Sequence, residues 1–402
     1  MKVDTMRKLD HRLGVPLCFI ATGIVKILDF FKPKTPAIKK ILLIELSEMG
    51  STIIVDPAMR KAQQHFDAEL YFLIFKKNKV SLDLLKTVPD ANIFTIREDS
   101  LLTFLWDVCR YLRWCRRQKF SATIDLELFS RATALLSGFS GARYRVGFYR
   151  FHNEGLYRGE MLTHKVAYNP HIHIGKNFIA LVNALISNNG EEPYSKTVIA
   201  NTELTLPHVP SSPEQRNVIY GKIQAIKPEF NPEQHKLVLI NPNASDLLPQ
   251  RRWMPEHFIA LMQKILAEHP NHYVVITGAP AEKAQADNLV AQVQHPRCIN
   301  FAGQVKFREL IDLYNISQLM VTNDSGPGHF SSVTPLKTFV IFGPETPALY
   351  GSLGNSVPIY AGLACSPCVS AANHRKTACS DNICLKIIKP DFVYQLIQAD
   401  LQ

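Results

Sequence analysis

Two adjacent arginines, Arg251 and Arg252, follow a polar loop in the second half of the chain. The loop begins at residue 241 with NPNAS, directly after an apolar run, and Ser245 supplies its first hydroxyl. Backbone N–H groups, a hydroxyl and guanidinium groups can together hold a diphosphate through paired hydrogen bonds. Alone the pattern is weak, because basic residues often precede a helix.

A second polar loop, ITGAPAE at residues 276–282, joins another apolar run to the next predicted helix. Thr277 and Gly278 end the run, and Glu282 lies where the helix begins. A carboxylate in this place can accept hydrogen bonds from the ribose hydroxyls of a nucleotide. It can equally be a favourable charge at a helix N-terminus, and the sequence leaves both interpretations open.

A third loop, NDSGPGHFSS from residue 323, contains two glycines between a predicted strand and a predicted helix. Gly326 and Gly328 allow close approach of a ligand, and the N–H groups at a helix start bind phosphate well. Asp324, Ser325 and His329 can add polar contacts, although Asp324 also suits an N-cap. The three loops together predict a nucleotide-binding edge.

Four of the eight cysteines lie close together near the C-terminus. Cys365, Cys368, Cys379 and Cys384 follow the spacing C-x2-C-x10-C-x4-C, with His374 between them. Four thiolates at such spacing can close a structural zinc site. The alternatives are a loop that only packs or forms an occasional disulfide. Without a convincing secretory signal, reduced thiols in the cytoplasm are expected.

Strands and helices must position these loops, and the sequence predicts two separate sets of them. Apolar runs alternate with helical patterns over residues 38–205 and again over 236–402, separated by a polar, proline-bearing linker at 206–235. Such alternation predicts an α/β protein with two doubly wound parallel sheets. A length of 402 residues and a hydrophobic fraction of 46% agree with two globular domains and exclude a disordered chain.

Residues 1–37 form a separate, amphipathic segment with an uncharged run at 13–25. The run is shorter than the roughly 20 residues that span a bilayer. Residues 1–40 contain nine Lys or Arg against three Asp, and the whole chain has a formal net charge of +10. This pattern favours an anionic membrane surface, while a helix docked on the protein itself is the alternative.

The strand-end loops carry a resemblance to a known family. NPNAS with RRWMPEHF, then ITGAPAE, NDSGPGHFSS and VIFGP resemble, in this order, the C-terminal domain of family 9 glycosyltransferases, which include the ADP-heptose:lipopolysaccharide heptosyltransferases. ILLIELSEMGSTIIVDPAMRKA and SATIDLELFSRATALLSGFSGARYRVGF resemble segments of their N-terminal domain. The resemblance extends over residues 38–395.

The resemblance implies a GT-B architecture, in which two Rossmann-like domains face each other across a cleft. It implies a nucleotide-sugar donor, such as ADP-heptose, on the C-terminal domain, a glycan acceptor on the N-terminal domain, and an inverting reaction that requires no metal or other cofactor. By position, Ser245 and Arg251 match the diphosphate side and Glu282 the nucleoside side. Asp324, Ser325 and Gly326 match the loop that meets the sugar and phosphates.

The opening loop departs from the family pattern. Ser51 stands after the loop glycine, where the resemblance leads us to expect the aspartate that acts as general base. Our hypothesis is that Glu48 is the base and that Ser51 orients the acceptor, since a carboxylate within reach can take a hydroxyl proton. Alternatives are Asp56, Asp125 or Glu127 as the base, or a protein that has lost the activity.

An excess of basic residues over 131–165, including Arg131 and Arg143, suits an acceptor bearing phosphates or carboxylates. The leading interpretation is a glycosyltransferase of lipopolysaccharide or other cell-envelope biosynthesis, peripheral on the inner face of the bacterial inner membrane. The alternative is a silent member of the family that binds nucleotide-sugars or assists assembly. Nucleic acid binding is not expected, because no nucleic-acid-binding module is recognisable.

Overall fold

The computed structural model describes residues 3–32, 37–47, 49–128, 130–151, 156–187, 190, 192–370, 373 and 375–402. The chain divides into two compact units, residues 1–204 and 205–402. Each unit is built around its own parallel β-sheet.

The sheet of the first unit has six strands in the order β3-β2-β1-β4-β5-β6. The central strand β1 is formed by the apolar run KILLI and is buried from its second residue onward, as expected for a strand covered on both faces. The strands are β1 Lys40–Ile44, β2 Glu69–Phe75, β3 Ile93–Ile96, β4 Ala122–Asp125, β5 Tyr144–Tyr149 and β6 His164–Ala167.

Serine caps set the start of two helices in this unit. Ser100 forms a reciprocal capping box with Thr103, and the Ser130 hydroxyl accepts from the Thr133 N–H. The helices are α1 Val3–Phe30, α2 Ser51–Ile54, α3 Asp56–Phe66, α4 Leu101–Gln118, α5 Arg131–Gly138 and α6 Ile174–Ser187. Short 3₁₀ helices span Lys76–Asp83, Asp90–Asn92 and Asn201–Leu204.

The second unit repeats this plan, with six strands in the order β12-β11-β10-β7-β8-β9. Its strands are β7 Lys236–Asn241, β8 His272–Ile276, β9 Cys298–Asn300, β10 Leu319–Asn323, β11 Lys337–Phe342 and β12 Ser356–Tyr360. Its helices are α7 Pro213–Ile226, α8 Pro255–Glu268, α9 Lys283–Val293, α10 Leu310–Asn315, α11 Gly326–Ser331, α12 Pro347–Tyr350, α13 Ile383–Lys386 and α14 Pro390–Ile397.

The stretch 206–235, interpreted above as a linker, contains a packed helix. Ser212 caps α7 and Pro213 begins it, a pairing that stabilises a helix start. Ile219 and Ile223 are fully buried, and Phe230 is nearly so. This stretch therefore belongs to the second unit, and its polar residues are exposed both on the outer face of α7 and on either side of it.

The predicted α/β class with two doubly wound parallel sheets is confirmed. In each sheet the strand order reverses beside the first strand, between β1 and β4 in one unit and between β7 and β10 in the other. The loops that leave the carboxyl ends of strands at such a reversal form the crevice where ligands bind. Candidate sites are therefore sought at these two places.

One buried carboxylate in the first unit should make stability depend on pH. Asp107 accepts from Arg97 Nε at 2.8 Å, Nη2 at 2.8 Å and the backbone N–H at 3.0 Å. These contacts, led by the guanidinium hydrogen bond, lower the Asp107 pKa to about 2. We expect Asp107→Asn to reduce the free energy of unfolding at pH 7 by about 1–3 kcal/mol.

Because the folded pKa is depressed, this stabilisation is complete above the unfolded pKa of about 4 and is lost as pH falls toward 2. Urea unfolding monitored by circular dichroism at several pH values measures it. Asp90→Asn, at an exposed ion pair with Lys79, is the control and should change stability by less than about 1 kcal/mol. A difference between Asp107→Asn and wild type that stayed constant down to pH 2 would contradict the account.

Candidate functional site

Three loops meet at the carboxyl edge of the second sheet, because β10, β7 and β8 are neighbours. The Asn241 side chain, at the end of β7, donates to the carbonyl oxygen of Thr277 at 3.2 Å and to its hydroxyl at 3.1 Å. Asn243 donates to the same carbonyl oxygen at 3.3 Å. Thr277 is buried and acts here as the acceptor that joins the loops after β7 and β8.

Asn323, at the end of β10, joins the third loop to the first. Its Nδ2 donates to the Pro242 carbonyl oxygen at 2.7 Å, and its Oδ1 accepts from the Trp253 N–H at 3.0 Å. Trp253 is buried and donates through Nε1 to the Ile388 carbonyl oxygen at 2.9 Å. Both ends of the loop that contains Arg251 are therefore held in place.

Sequence reasoning missed Asn241 and Asn323 as positioning residues. A signal existed in the sequence, since both β7 and β10 are apolar runs that end in asparagine. A side chain with two donors and an acceptor at such a position can satisfy the backbone of an adjacent loop.

Arg251 and Asp324 form the charged centre of this edge. Arg251 Nη1 lies 3.6 Å from Asp324 Oδ2, and Asp324 is buried. The Nε of Arg251 is buried and has no hydrogen-bond partner among the described residues. A buried guanidinium N–H without an acceptor is costly, so this donor is suited to an anionic ligand.

Arg252, for which a diphosphate contact is predicted, makes hydrogen bonds within its own loop. It donates to the Ala244 carbonyl oxygen from Nε at 3.0 Å and from Nη2 at 2.6 Å, and it pairs with Asp246. It therefore closes the loop upon itself. Ser245, in the same loop, is exposed, and its hydroxyl accepts from the Leu247 N–H at 3.3 Å.

Glu282 lies at the start of the helical segment after β8. Its Oε2 accepts from the Ala279 N–H at 2.6 Å, which is the capping arrangement that the sequence left as the alternative. A Cβ on Gly278 would lie 2.8 Å from Asn243 Nδ2 and 2.9 Å from Glu282 Oε2. A side chain at position 278 would therefore displace the Asn243 amide or the Glu282 carboxylate from its place beside this backbone.

The loop after β10 leads into the short helix α11. Ser325 donates from its hydroxyl to the Asn323 carbonyl oxygen at 3.2 Å, and Gly326 follows as the first helical residue. A Cβ on Gly328 would lie 2.8 Å from Ser352 Oγ, so this glycine serves packing. The His329 ring lies 3.4 Å from the same hydroxyl.

In the first unit, the corresponding edge lies at the ends of β1 and β4. Ser51 donates from its hydroxyl to Glu45 Oε1 in a close contact, and both residues are buried. Glu127 Oε1 accepts from the N–H groups of Leu46 at 3.0 Å and Ser47 at 3.1 Å. Glu48, the predicted base, lies outside the described residues, and Glu45 was not singled out from the sequence because it reads as part of the strand.

Two of the alternative bases are committed to ion pairs. Asp56 is fully buried and bonds to Arg60 Nε at 2.6 Å. Asp125 is fully buried and pairs with Arg158, and burial raises the Asp125 pKa despite that cation. Glu127 is occupied by the backbone of the β1 loop, as described above.

The two arginines predicted to bind the acceptor both contact α1. Arg131 Nη1 pairs with Asp10 Oδ2 at 3.2 Å, and Arg131 is buried. Arg143 Nη1 donates to the Asp29 carbonyl oxygen at 3.2 Å. Their basic side chains are thus used to attach the N-terminal helix, which composition alone did not reveal.

The cysteine cluster shows no metal geometry among the residues that the structure describes. Cys365 and Cys379 are exposed, Cys368 is partly exposed and Cys384 is buried. Burial, followed by the charges of the Cys368 and Cys379 thiolates, raises the pKa of the Cys384 thiol. His374 lies outside the described residues, and the structural zinc that the spacing left open gains no support.

Several known proteins are similar to this chain. A lipooligosaccharide heptosyltransferase 2 of Campylobacter jejuni is 29% identical over 171 residues, which are 40% of this chain and 51% of that protein. The chain therefore aligns with about half the length of this curated relative. The lipopolysaccharide core heptosyltransferase OpsX of Haemophilus influenzae is 22% identical over 81% of this chain and 86% of its own.

The solved structure of Escherichia coli ADP-heptose lipopolysaccharide heptosyltransferase II superposes with a TM-score of 0.67 at 18% sequence identity. It covers 90% of this chain and 98% of its own, and at this identity it shows a shared fold. Residues 108–378, more than half of the chain, match the model of glycosyltransferase family 9 (heptosyltransferase), and the chain belongs to this family.

Proposed function

We propose that this protein transfers a heptosyl group from ADP-heptose to a lipid-linked glycan, the lipopolysaccharide core or a related cell-envelope acceptor. The observation that supports the proposal most directly is the buried Arg251 Nε, which has no hydrogen-bond partner among the described residues and lies beside Asp324 at the strand reversal of the second sheet. The names of its relatives, which are heptosyltransferases of lipopolysaccharide or lipooligosaccharide, support the sugar and the acceptor.

On the donor side, Arg251 binds the diphosphate, and Asp324 holds the guanidinium in place. Ser245 and Ser325 offer hydroxyl groups to the phosphates and the sugar, and the carboxylate of Glu282 binds the ribose from its capped position. Arg252, Asn241 and Asn323 keep the loops in the binding shape. Arg251 is assigned to the ligand because its Nε has no partner among the described residues, whereas Arg252 already donates to Ala244. The roles of Ser245, Ser325 and Glu282 rest on the family resemblance.

On the acceptor side, the oxygen of the acceptor hydroxyl forms a bond to the anomeric carbon. The bond between that carbon and the β-phosphate oxygen breaks, and its electron pair leaves with ADP. The hydroxyl proton passes to the Glu48 carboxylate, Ser51 orients the acceptor, and Glu45 fixes the Ser51 hydroxyl. The inverting course, without a metal ion, is part of the proposal and rests on the family resemblance.

A second candidate function is nucleotide-sugar binding without turnover. The observation that favours it is Ser51 in the place where the family pattern has a carboxylate.

If the protein is the enzyme, its acceptor is lipid-linked, and the reaction then takes place in the cytoplasm, at the inner face of the bacterial inner membrane. Either function requires the donor site, so nucleotide binding is the first measurement.

Calorimetric titration should show that the full-length protein binds ADP more tightly than UDP. We expect Arg251→Ala to weaken ADP binding by about 10-fold to 100-fold, because a charge-assisted hydrogen bond to phosphate is lost. Arg216→Ala removes an exposed arginine of α7 and is the control for net charge. Glu282→Gln keeps an acceptor for the Ala279 N–H, so any loss of ADP affinity in this variant reports on the ribose contact.

Equal effects of Arg251→Ala and Arg216→Ala would remove the diphosphate role of Arg251. A wild-type protein that binds neither nucleotide would contradict both candidate functions.

Turnover of ADP-heptose with a lipopolysaccharide-core acceptor should identify the base. We expect Glu48→Gln to lower kcat by about 10²-fold to 10⁴-fold with little change in the KM for the donor, because only proton transfer is lost. Glu45→Gln should lower kcat less, because Glu45 acts through Ser51. If Glu45→Gln abolished turnover and Glu48→Gln were silent, the base would be Glu45, acting through the Ser51 hydroxyl. ADP binding without turnover in the wild type would favour the silent family member.

A further inference from the structure

Among the described side chains of α1, those that are fully buried form a narrow line of small residues against the rest of the first unit. Gly14, Cys18, Ala21 and Val25 are buried at spacings of four, three and four residues. Cys18, Ala21 and Val25 pack with Ala134 of α5 and with Met161 in one cluster. A line with this spacing is one side of a helix, so the greater part of the surface of α1 is left outside the protein core.

Close approach and charge attach α1 to the unit near both of its ends. A Cβ on Gly14 would already lie 2.7 Å from Arg131 Cδ. At one end Asp10 Oδ2 pairs with Arg131 at 3.2 Å and Asp10 Oδ1 accepts from the Arg131 N–H at 2.9 Å. At the other end Asp29 pairs with the buried Arg145. These contacts hold the helix along the surface of the unit.

The outer surface of α1 exposes many large apolar side chains to solvent. Phe19 is 72% exposed, Ile20 59% and Ile27 66%. Leu13, Val15, Leu17, Ile24, Leu28 and Phe30 are exposed as well. A contiguous apolar surface of this kind marks an interaction site, because soluble proteins seldom leave one uncovered.

The charges of α1 are sorted by sign. Asp10 and Asp29 are turned toward arginines of the unit, with side chains 19% and 17% exposed. Lys8, Arg12 and Lys26 are exposed. Among the described side chains of α1, the outward-facing formal charges are therefore cationic, and this arrangement complements an anionic lipid surface.

By length and composition, Lys8–Phe30 could also cross a membrane, with 22% of its most apolar window buried in the protein. The ion pairs argue for a different orientation. Asp10 and Asp29 are about 28 Å apart along the helix at 1.5 Å per residue, and both are bound to the same folded unit. A spanning helix would carry one of these ion pairs of the unit into the hydrocarbon, which is costly.

We propose that α1 lies in the plane of an anionic membrane surface, attached to the first unit by its buried line and by the two ion pairs, with its outer apolar side chains in the lipid. This deepens the membrane placement in the proposed function by naming the surface that makes the contact. Lipid binding can be measured without catalysis, so a failure of one proposal is distinguishable from a failure of the other.

The test is co-sedimentation of the full-length protein with phosphatidylcholine vesicles that do or do not contain phosphatidylglycerol. We expect binding to require phosphatidylglycerol and to weaken with salt. Ile20→Glu/Ile27→Glu changes two side chains opposite the buried line, and we expect about ten-fold or greater loss of binding. Val198→Glu is the matched control, since Val198 is 97% exposed and lies outside α1, and it should bind like the wild type.

The proposal is overturned if the double variant binds vesicles as well as the wild type, or if neither binds. The apolar face would instead bind a second copy of the chain if three results were found together: the wild type is a dimer without lipid, the double variant is a monomer, and neither binds vesicles. Retention of bound protein in alkaline carbonate would show a spanning helix instead. Circular dichroism and ADP binding of the double variant should match the wild type, which confirms that the exposed substitutions leave the fold intact.

Discussion

The amide of Asn323 is the contact on which the proposed donor site depends. It bonds at once to the Pro242 carbonyl oxygen and the Trp253 N–H, and so fixes both ends of the loop that contains Arg251. Without this tie, the guanidinium group would have to be ordered when a ligand binds, at a cost in entropy. With it, Arg251 is held beside Asp324 with a donor still available. The site is therefore prepared for an anion by neutral hydrogen bonds that need not touch the ligand.

The first unit uses buried charge differently, to attach elements to one another. Arg131 and Arg145 hold α1, and Arg158 holds Asp125 at the end of β4. These arginines are buried, and a buried cation is tolerated only when it is paired and hydrogen-bonded. The basic side chains whose excess indicated an anionic acceptor are thus largely engaged in ion pairs and hydrogen bonds within the protein. Basic character remains available for an anionic surface at exposed positions such as Lys8, Arg12 and Lys26.

The two units therefore divide the chemistry that the proposed reaction needs. The second unit has polar loops at its strand reversal and an arginine suited to a diphosphate. The first unit has carboxylates around the β1 loop and an apolar helix on its surface. For an enzyme that joins a nucleotide-sugar donor to a lipid-linked acceptor, the proposed membrane contact and the proposed donor site would then involve residues of different units.

The sequence by itself determined the fold class, the family and the three polar loops at the strand ends of the second sheet, because these follow from local patterns: buried apolar runs, helix starts and strand-end polar residues. It also indicated α1 as an unusual apolar and basic segment. Tertiary structure decided which polar groups are already bonded within the protein. Arg251 and Arg252 are neighbours of one type. Arg251 has a buried N–H that finds no partner in the part of the chain that the structure describes, whereas Arg252 donates to the Ala244 carbonyl oxygen of its own loop. In the sequence, Glu45 resembles the end of a strand, and the structure shows that it accepts a hydrogen bond from Ser51. Arg131 is predicted from the sequence to contact a ligand, and the structure shows that it pairs with Asp10. These pairings join residues that are distant in sequence or that a turn brings together. A hydrogen bond forms only when donor and acceptor meet at the right distance and angle, and the folded chain alone determines that.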